Sequence, residues 1–229
     1  MTLRDLLIDP PRLHEAAGTP TTYRLSDEAL AYIDAHVTAE SRTLETGAGV
    51  STVLFAIKRV THTCVVPDDA QVERIKRYCR EHDISTARIA FEIEGSEHVL
   101  PHLKLRGLDL VLIDGCHGFP APFIDWYYAA SGLKAGGVLI VDDTHLWTGR
   151  VLREFLRAEP DWRHECDFRS RTAVFRRLTD GDVLKEWTHQ PYTVLHSRGS
   201  VAARARRALE HLVRGELSTL AKKLRKTGR

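Results

Sequence analysis

The chain has 229 residues, of which 43% are hydrophobic and 28% are charged, and this composition indicates a globular protein rather than a disordered or membrane-spanning one. The net charge of +2 is unevenly distributed: residues 201–229 hold nine Lys and Arg and two Glu, or +7, which leaves −5 for residues 1–200. A mildly acidic body does not favour nucleic acid, so we expect none as a partner.

The first regular pattern follows residues 1–23, which we expect to form a cap segment. Ser26 and the acids after it predict a helix that runs to His36, because a serine oxygen and early acids satisfy the first amides of a helix. Arg42–Thr46 is expected to be a short strand, and the glycine-rich stretch after it turns into a helix ending near Arg59. This alternation of strand and helix predicts an α/β sheet.

The alternation continues with two further strand and helix pairs. His62–Pro67 reads as the second strand, and Asp68 is placed to cap a helix with one apolar face. Ala87–Ile93 alternates as a third strand, and Glu94 follows it. Short connections between such units are typical of a parallel sheet with helices on both faces.

The next two predicted strands both end in acidic residues. Leu108–Ile113 leads to Asp114, with His117 three residues on, and a second apolar run leads to Asp142 and Asp143. Parallel strands present their carboxyl ends at one edge of the sheet, where open α/β folds bind ligands. We therefore expect three acids and a histidine to converge on one cleft.

The chain then departs from a simple six-stranded dinucleotide fold. A helical pattern runs to Pro160, and Trp162–Phe168 and Thr172–Arg177 read as two strands joined by a short turn. Together these elements predict a Rossmann-like, doubly wound seven-stranded sheet whose last strand is inserted antiparallel.

The segments ETGAGVST, the strand that ends at Asp114, and LKAGGVLIVDD resemble the class I S-adenosylmethionine-dependent methyltransferases over residues 24–178. The glycine pattern has a physical reason, because Gly47 and Gly49 permit a tight turn and a close ligand. Taken alone, a GxG is equally consistent with a plain turn between strand and helix. The resemblance implies the cofactor S-adenosyl-L-methionine and the activity of a methyltransferase.

Residues of three loops are implied as cofactor contacts. By the resemblance, the methionyl part of the cofactor meets the first loop, the ribose meets the end of the second strand, and the adenine follows the third strand. Val66 stands where many family members have a ribose-binding acid, so Asp68, two residues later, either substitutes for it or only caps the helix. Glu94 is equally explained as a solvated acid at a strand end. The implied contacts are Glu45, Gly47, Ala48, Gly49, Ser51, Asp68, Glu94, Gly95, Ser96 and Asp114.

The acids also resemble, more narrowly, the metal-dependent O-methyltransferases of macrolide sugars and the cephalosporin-hydroxylase-like group. That resemblance implies a divalent ion, with Mg²⁺ the first choice, held by Asp114, Asp142 and Asp143, because hard carboxylates suit it. It also implies that His117 is the catalytic base beside Asp114. The open alternatives are that Asp142 and Asp143 cap the next helix, and that His117 is a surface turn residue.

The leading hypothesis is therefore a methyltransferase that transfers a methyl group to a hydroxyl of a small molecule such as a sugar or a glycosylated metabolite. A Rossmann oxidoreductase is disfavoured because Thr52 stands where the full GxGxxG pattern needs its third glycine. A non-enzymatic binding or scaffold protein is the other alternative, with the basic C-terminal segment as its functional part.

Residues 179–229 are expected to be a C-terminal extension. From Val201 a helix is predicted with a leucine stripe and basic residues elsewhere, which suits packing on a partner subunit or on the body better than a membrane surface. A homo-oligomer is consistent with that stripe. Four cysteines without a CxxC pair, and charges with a double proline in the first 18 residues, lead us to expect a cytoplasmic protein.

Overall fold

The computed structural model describes residues 1–197 and Leu209. The chain divides into a unit of Met1–Leu184 and a second unit, Lys185–Arg229. The helices of the first unit are α1 (Leu3–Ile8), α2 (Asp27–His36), α3 (Val50–Lys58), α4 (Asp69–Glu81), α5 (Ser96–Val99), α6 (Ala121–Gly132) and α7 (Trp147–Ala158). Its strands are β1 (His14–Ala16), β2 (Thr19–Thr21), β3 (Arg42–Thr46), β4 (Thr61–Val65), β5 (Ile89–Glu92), β6 (Leu108–Ile113), β7 (Leu133–Val141), β8 (Trp162–Phe168) and β9 (Thr172–Arg177).

Seven strands of the described part of the chain form one sheet, in the order β5-β4-β3-β6-β7-β9-β8. The strands from β5 to β7 are parallel, whereas β9 runs antiparallel to both β7 and β8. This confirms the predicted Rossmann-like sheet with an inserted antiparallel last strand. The direction of winding reverses between β3 and β6, and the carboxyl ends of these strands border the crevice where such sheets bind ligands.

The core lies on both faces of the sheet, as the near-continuous apolar runs of the parallel strands require. Along β6, Leu110 and Leu112 belong to one buried cluster and Val111 and Ile113 to the other, because successive side chains point to opposite faces. Helices α2, α3 and α4 cover the first face, and α6 and α7 cover the second. The sheet is thereby held rigid at the edge that carries the acids.

The N-terminal segment contributes to this core. Leu6 of α1 and Leu13 are fully or almost fully buried in the cluster that contains α2 and α3. The strands β1 and β2 form a small antiparallel hairpin beside it. Leucine side chains of residues 1–23 therefore form part of the same hydrophobic core as α2 and α3.

Some boundaries differ from those expected. The third strand of the large sheet covers only Ile89–Glu92, whereas it was expected over Ala87–Ile93. In the second unit, Trp187–His189 forms a short 3-10 helix and residues 191–197 are helical. The predicted leucine stripe from Val201 lies outside the described residues, apart from Leu209. No helix among the described residues has both the length and the apolar character that a membrane crossing needs.

Candidate active site

A cavity of about 1140 Å³ opens at the carboxyl ends of β3, β4, β6 and β7. It joins the loop after β3 to the loops after β6 and β7, so the residues expected to bind cofactor and metal face a common space. The predicted residues that line it are Gly47, Ala48, Gly49, Ser51, Asp68, Gly95, Ser96, Asp114, His117, Asp142 and Asp143. Glu45 and Glu94 do not line it.

The glycine loop passes directly against the strand end that carries Asp114. Gly47 has φ +86°, and a Cβ atom built on it would lie 2.2 Å from the backbone oxygen of Asp114. Both the backbone conformation and the space therefore require glycine. After Gly49, α3 begins at Val50 with its amino end at the cavity, which is the arrangement that favours an anionic or polar ligand group.

Glu45 is buried behind this loop instead of facing the cavity. Its carboxylate accepts hydrogen bonds from Ser51 Oγ at 2.8 Å and from the hydroxyl of Thr52, and His62 Nε2 lies 3.1 Å from it. In the structure the side chain therefore holds the first turn of α3 and does not line the cavity, and the expected contact of Glu45 with the methionyl part of the cofactor stays a prediction. A polar network of this kind fixes the loop's shape.

The second and third strand ends give a mixed outcome. Asp68 caps α4, accepting from the backbone amide of Gln71 at 3.1 Å, and it also lines the cavity. Asp68 can therefore cap α4 and still be placed to contact a ribose in the cavity. Glu94 is exposed and lies outside the cavity lining, while the neighbouring Gly95 and Ser96 line it.

The acids and the histidine converge as expected, and Arg171 joins them. His117 Nε2 lies 2.8 Å from Asp143 Oδ2, and Arg171 Nη2 lies 2.7 Å from Asp143 Oδ1. Arg171 Nε is 3.5 Å from Asp142 Oδ2, and the hydroxyl of Thr172 donates to the other oxygen of Asp142. Sequence reasoning missed Arg171, although the antiparallel β9 starts at the edge where β7 ends and thus brings the turn before it to the acids.

The crowding of carboxylates shifts their proton affinities. Burial, together with the charges of Asp142 and Asp143, raises the pKa of Asp114 well above its usual range. Burial also raises the pKa of Asp142. Burial opposes ionisation of Asp143 as well, but the hydrogen bond and charge of His117 and the charge of Arg171 outweigh it and lower that pKa. The hydrogen bond to Asp143 raises the pKa of His117.

The aspartates do not cap the following helix. α7 begins at Trp147 with Leu146 as its N-cap, and Asp143 has a left-handed backbone with φ +51°. In the first turn of α7, the hydroxyl of Thr148 donates to the backbone oxygen of His117 at 2.5 Å. The capping alternative for Asp142 and Asp143 is therefore wrong, and α7 is tied to the loop that carries His117.

The donor set fits a hard divalent cation. Asp114, His117 and Asp143 each offer a ligand atom, and these atoms lie within 4.8 Å of one another, whereas Asp142 is not part of that group. Mutual repulsion of the carboxylates would be relieved by a cation, which is consistent with the raised pKa of Asp114. Among these donors, the carboxylate oxygens of Asp114 and Asp143 are the ones that suit Mg²⁺ or Mn²⁺.

An exposed aromatic side chain, Phe119, lines the cavity, and the exposed Trp147 lies beside it. Phe119 is 70% exposed and Trp147 57% exposed, with their ring centroids 6.0 Å apart, and the half-buried Phe123 lies 6.1 Å from Phe119. Trp126 of α6 is buried. Large exposed aromatics in mutual contact are uncommon on a surface without a ligand or partner.

Asp125 of α6 is a buried acid that sequence reasoning did not single out. Its side chain is fully buried, and among the described residues neither carboxylate oxygen has a well-oriented hydrogen-bond partner, although the Ser96 and Thr46 hydroxyls lie nearby. Burial raises the pKa of Asp125. Asp125 lies within α6 and belongs to no motif, so the sequence does not distinguish it from an ordinary exposed acid of a helix.

Comparisons with known proteins agree with this architecture. A family model described as a methyltransferase domain matches residues 44–144. No curated protein matches the chain.

Solved structures share the fold at low sequence identity. A Staphylococcus aureus protein named provisionally as a caffeoyl-CoA O-methyltransferase is 13% identical, with a TM-score of 0.59 over 68% of this chain and 86% of that one. The O-methyltransferase TomG of Streptomyces achromogenes, solved with its cofactor, is 16% identical, with a TM-score of 0.56 over 68% and 82%. An rRNA methylase of Streptococcus thermophilus is 10% identical, with a TM-score of 0.53 over 69% and 98%.

The sheet with its inserted antiparallel strand and the glycine loop at the switch point give this chain the fold of the class I S-adenosylmethionine-dependent methyltransferases. Within that fold, residues 44–144 match the model of a methyltransferase domain.

Proposed function

We propose that this protein transfers a methyl group from S-adenosylmethionine to a hydroxyl of a small molecule, with a divalent cation assisting. The acceptor that fits best is a sugar or a glycosylated metabolite. We assign the activity to residues 24–178, with residues 1–23 as a cap and residues 179–229 as an extension, and we expect the protein to act in the cytoplasm.

One observation carries the proposal: the glycine loop and the acidic cluster share a single cavity and touch at Gly47 and Asp114. A cofactor on the glycine loop would therefore present its reactive end near Asp114, His117 and Asp143. A bound cofactor would supply a methyl group on a sulfonium; the acceptor oxygen would form a bond to the methyl carbon in line with the carbon–sulfur bond that breaks, and S-adenosylhomocysteine would leave as a neutral thioether. The main task of the protein is to align that oxygen and increase its anionic character.

Asp114 and Asp143 are proposed to hold the cation, with Asp142 supporting Asp143 through Arg171. When bound, a divalent cation lowers the pKa of an acceptor hydroxyl and orients it. Arg171 lies beside both Asp142 and Asp143, so it already offsets part of their charge. A cation held by Asp114 and Asp143 would offset the negative charge that Arg171 leaves uncompensated.

His117 is proposed as the base that takes the hydroxyl proton. Its Nε2 is directed at Asp143, so in the neutral ring Nδ1 is the nitrogen with a lone pair for the proton. Asp143 fixes the ring's orientation and stabilises the imidazolium that forms. Thr148 holds the backbone of His117 in place.

The acceptor is proposed to be a small molecule because two exposed aromatic side chains beside the cavity offer a surface for a ring to stack on. Phe119 lies on the loop that carries His117, and Trp147 begins α7 directly after the loop that carries Asp143, so a flat ring against the two would bring a hydroxyl to those groups. The net charge of −5 on residues 1–200 argues against an RNA acceptor.

The test is methyl transfer to glycosides and sugar nucleotides, measured with labelled S-adenosylmethionine, in Mg²⁺ and after chelation. We expect activity with Mg²⁺ and its loss on chelation. Asp143→Asn, which tolerates the left-handed backbone, should lose the metal stimulation while retaining S-adenosylhomocysteine binding. Full activity in excess chelator would refute the metal assignment, and tail-dependent partner binding without any methyl transfer would favour the scaffold alternative.

A further inference from the structure

His14 lies outside the methyltransferase pattern, yet its side chain reaches the cofactor end of the cavity. It sits on β1 of the N-terminal hairpin and lines the cavity next to Ala48 and Gly49. A Cβ atom built on Gly49 would lie 3.1 Å from His14 Cε1, so the imidazole packs directly on the glycine loop. The hairpin therefore contacts the segment expected to carry the cofactor.

Both ring nitrogens of His14 have defined partners. Nε2 lies 3.1 Å from the backbone oxygen of Ala48, and the backbone amide of Tyr23 donates to Nδ1 at 3.3 Å. A carbonyl oxygen can only accept and a backbone amide can only donate, so Nε2 carries the proton and Nδ1 the lone pair. This pattern requires the neutral ring.

The same carbonyl is held from a second side. Gln71 of α4 donates its side-chain amide to the oxygen of Ala48 at 2.6 Å, and Gln71 is buried. Arg74 of α4 donates to the backbone oxygen of Leu13, the residue before His14, at 2.8 Å. The hairpin, the glycine loop and α4 thus form a closed set of contacts around one peptide group.

We propose that His14, together with Gln71, is a positioning residue of the cofactor site that fixes the Ala48 peptide in the orientation that binds S-adenosylmethionine. The proposal rests on the proposed function only in that the cofactor occupies the glycine loop. We call the contacts of His14 and Gln71 with the oxygen of Ala48 the clamp. A loop that is already ordered loses less conformational entropy when the ligand binds, so removing the clamp weakens cofactor binding.

Protonation of His14 opposes the clamp. A proton on Nδ1 would face the amide of Tyr23, and burial lowers the pKa of His14. From α4, the charge of Arg74 also lowers it and that of Asp68 raises it. The clamp is therefore complete at neutral and alkaline pH and is lost as the pH falls through the lowered pKa.

The experiment measures S-adenosylhomocysteine binding by calorimetry in the full chain at pH 8.0 and in steps down to pH 4.5. His14→Ala removes both contacts, and His14→Gln keeps an amide donor of similar reach to Nε2 that does not titrate. Glu15→Ala, on the same strand with an exposed side chain, is the matched control. At pH 8.0 we expect His14→Ala to bind about tenfold more weakly, His14→Gln to stay within about threefold of wild type, and Glu15→Ala to be unchanged, as a tenfold change corresponds to about 1.4 kcal/mol.

As the pH falls from 8.0 to 4.5, wild type and Glu15→Ala should lose several-fold more affinity than His14→Gln. Equal losses in wild type and His14→Gln throughout this range would overturn the proposal, even if His14→Ala failed to fold. Wild-type affinity in a folded His14→Ala protein would also overturn it and leave His14 as part of the hairpin alone. A wild-type protein that binds no S-adenosylhomocysteine at any of these pH values would instead contradict the cofactor assignment itself.

Discussion

At the scale of single residues, the site depends on a close approach between two loops. Gly47 has a left-handed backbone and leaves no space for a side chain beside the carbonyl of Asp114. His117 and Asp143, from different loops, form a hydrogen-bonded pair, and Arg171 arrives from a third segment. Each of these residues makes a different contact, so a single substitution tests one contact at a time.

Gly47→Ala is predicted to destabilise the protein by about 2–5 kcal/mol, because it combines a left-handed backbone with a clash against a backbone carbonyl. The free energy of unfolding in urea measures this. Gly136→Ala is the matched control, since Gly136 has a similar φ of +80° but open space around it. It should cost only about 1–2 kcal/mol. Equal costs for the two variants would show that the contact with Asp114 is unimportant.

His117→Ala is predicted to lower kcat by about 10² to 10⁴-fold while leaving S-adenosylhomocysteine binding nearly unchanged, because a general base contributes that much. His145→Ala is the comparator, since His145 Nδ1 lies 3.5 Å from the same carboxylate but its side chain is half exposed. We expect it to cost less than tenfold. A loss below tenfold for His117→Ala would return His117 to the role of a turn residue.

At the scale of elements, a network of hydrogen bonds and an ion pair joins the β8–β9 hairpin to α2. Glu165 of β8 accepts from Tyr32 of α2 and pairs with Arg176 of β9, whose Nη2 lies 2.9 Å from Glu165 Oε2. This hairpin also carries Arg171 to the acids of the cavity, so the network that holds β8 and β9 in place supports the site. The hydrogen bonds from Arg176 lower the pKa of Glu165 to about 2.

Glu165→Gln is predicted to lower the free energy of unfolding by about 2 kcal/mol at pH 7, a value typical of hydrogen bonds to a charged group. Because the folded-state pKa lies below the ordinary value of 4.5, the carboxylate stabilises the protein above pH 4.5 and this contribution disappears as the pH falls towards 2. Thermal unfolding from pH 7 to 2.5 measures the difference from wild type. The exposed Glu81→Gln serves as control. A difference that does not depend on pH would contradict the ion-pair explanation.

At the scale of the whole molecule, the order of the strands creates the cavity. The winding reverses between the adjacent strands β3 and β6, so the helices that follow them lie on opposite faces of the sheet and a cavity opens beyond the carboxyl ends of these strands. Helices on both faces hold this edge of the sheet in shape. The expected consequence is that a cofactor in the cavity stabilises the first unit as a whole.

S-Adenosylhomocysteine at about 100 times its Kd is predicted to raise the melting temperature by about 5–11 °C, since saturation to that degree adds about 2.7 kcal/mol to a domain of this size. NADH at the same concentration should leave the melting temperature unchanged. Scanning fluorimetry measures both. Stabilisation by NADH without any by S-adenosylhomocysteine would support the oxidoreductase alternative instead.

Local patterns in the sequence were sufficient for the elements and the class of the sheet. Ser26 and Asp68 cap α2 and α4 as predicted, accepting from the amides of Ala29 and Gln71, because capping depends on residues three apart in the chain. The convergence of Asp114, His117 and Asp143 was also predictable, because parallel strands place their carboxyl ends at one edge. What the short-range signals could not distinguish was a capping aspartate from a site aspartate.

The sequence by itself determined the seven-stranded α/β sheet, the glycine loop and the strand ends that carry the acids, since each depends on patterns within a few residues. Only the tertiary structure decided that Glu45 turns away from the cavity to hold α3, that Arg171 pairs with Asp143, and that His14 clamps Ala48. These contacts join segments brought together by the packing of helices and by the antiparallel insertion of β9. Side-chain direction and long-range proximity depend on how whole elements pack, and no local pattern contains that information.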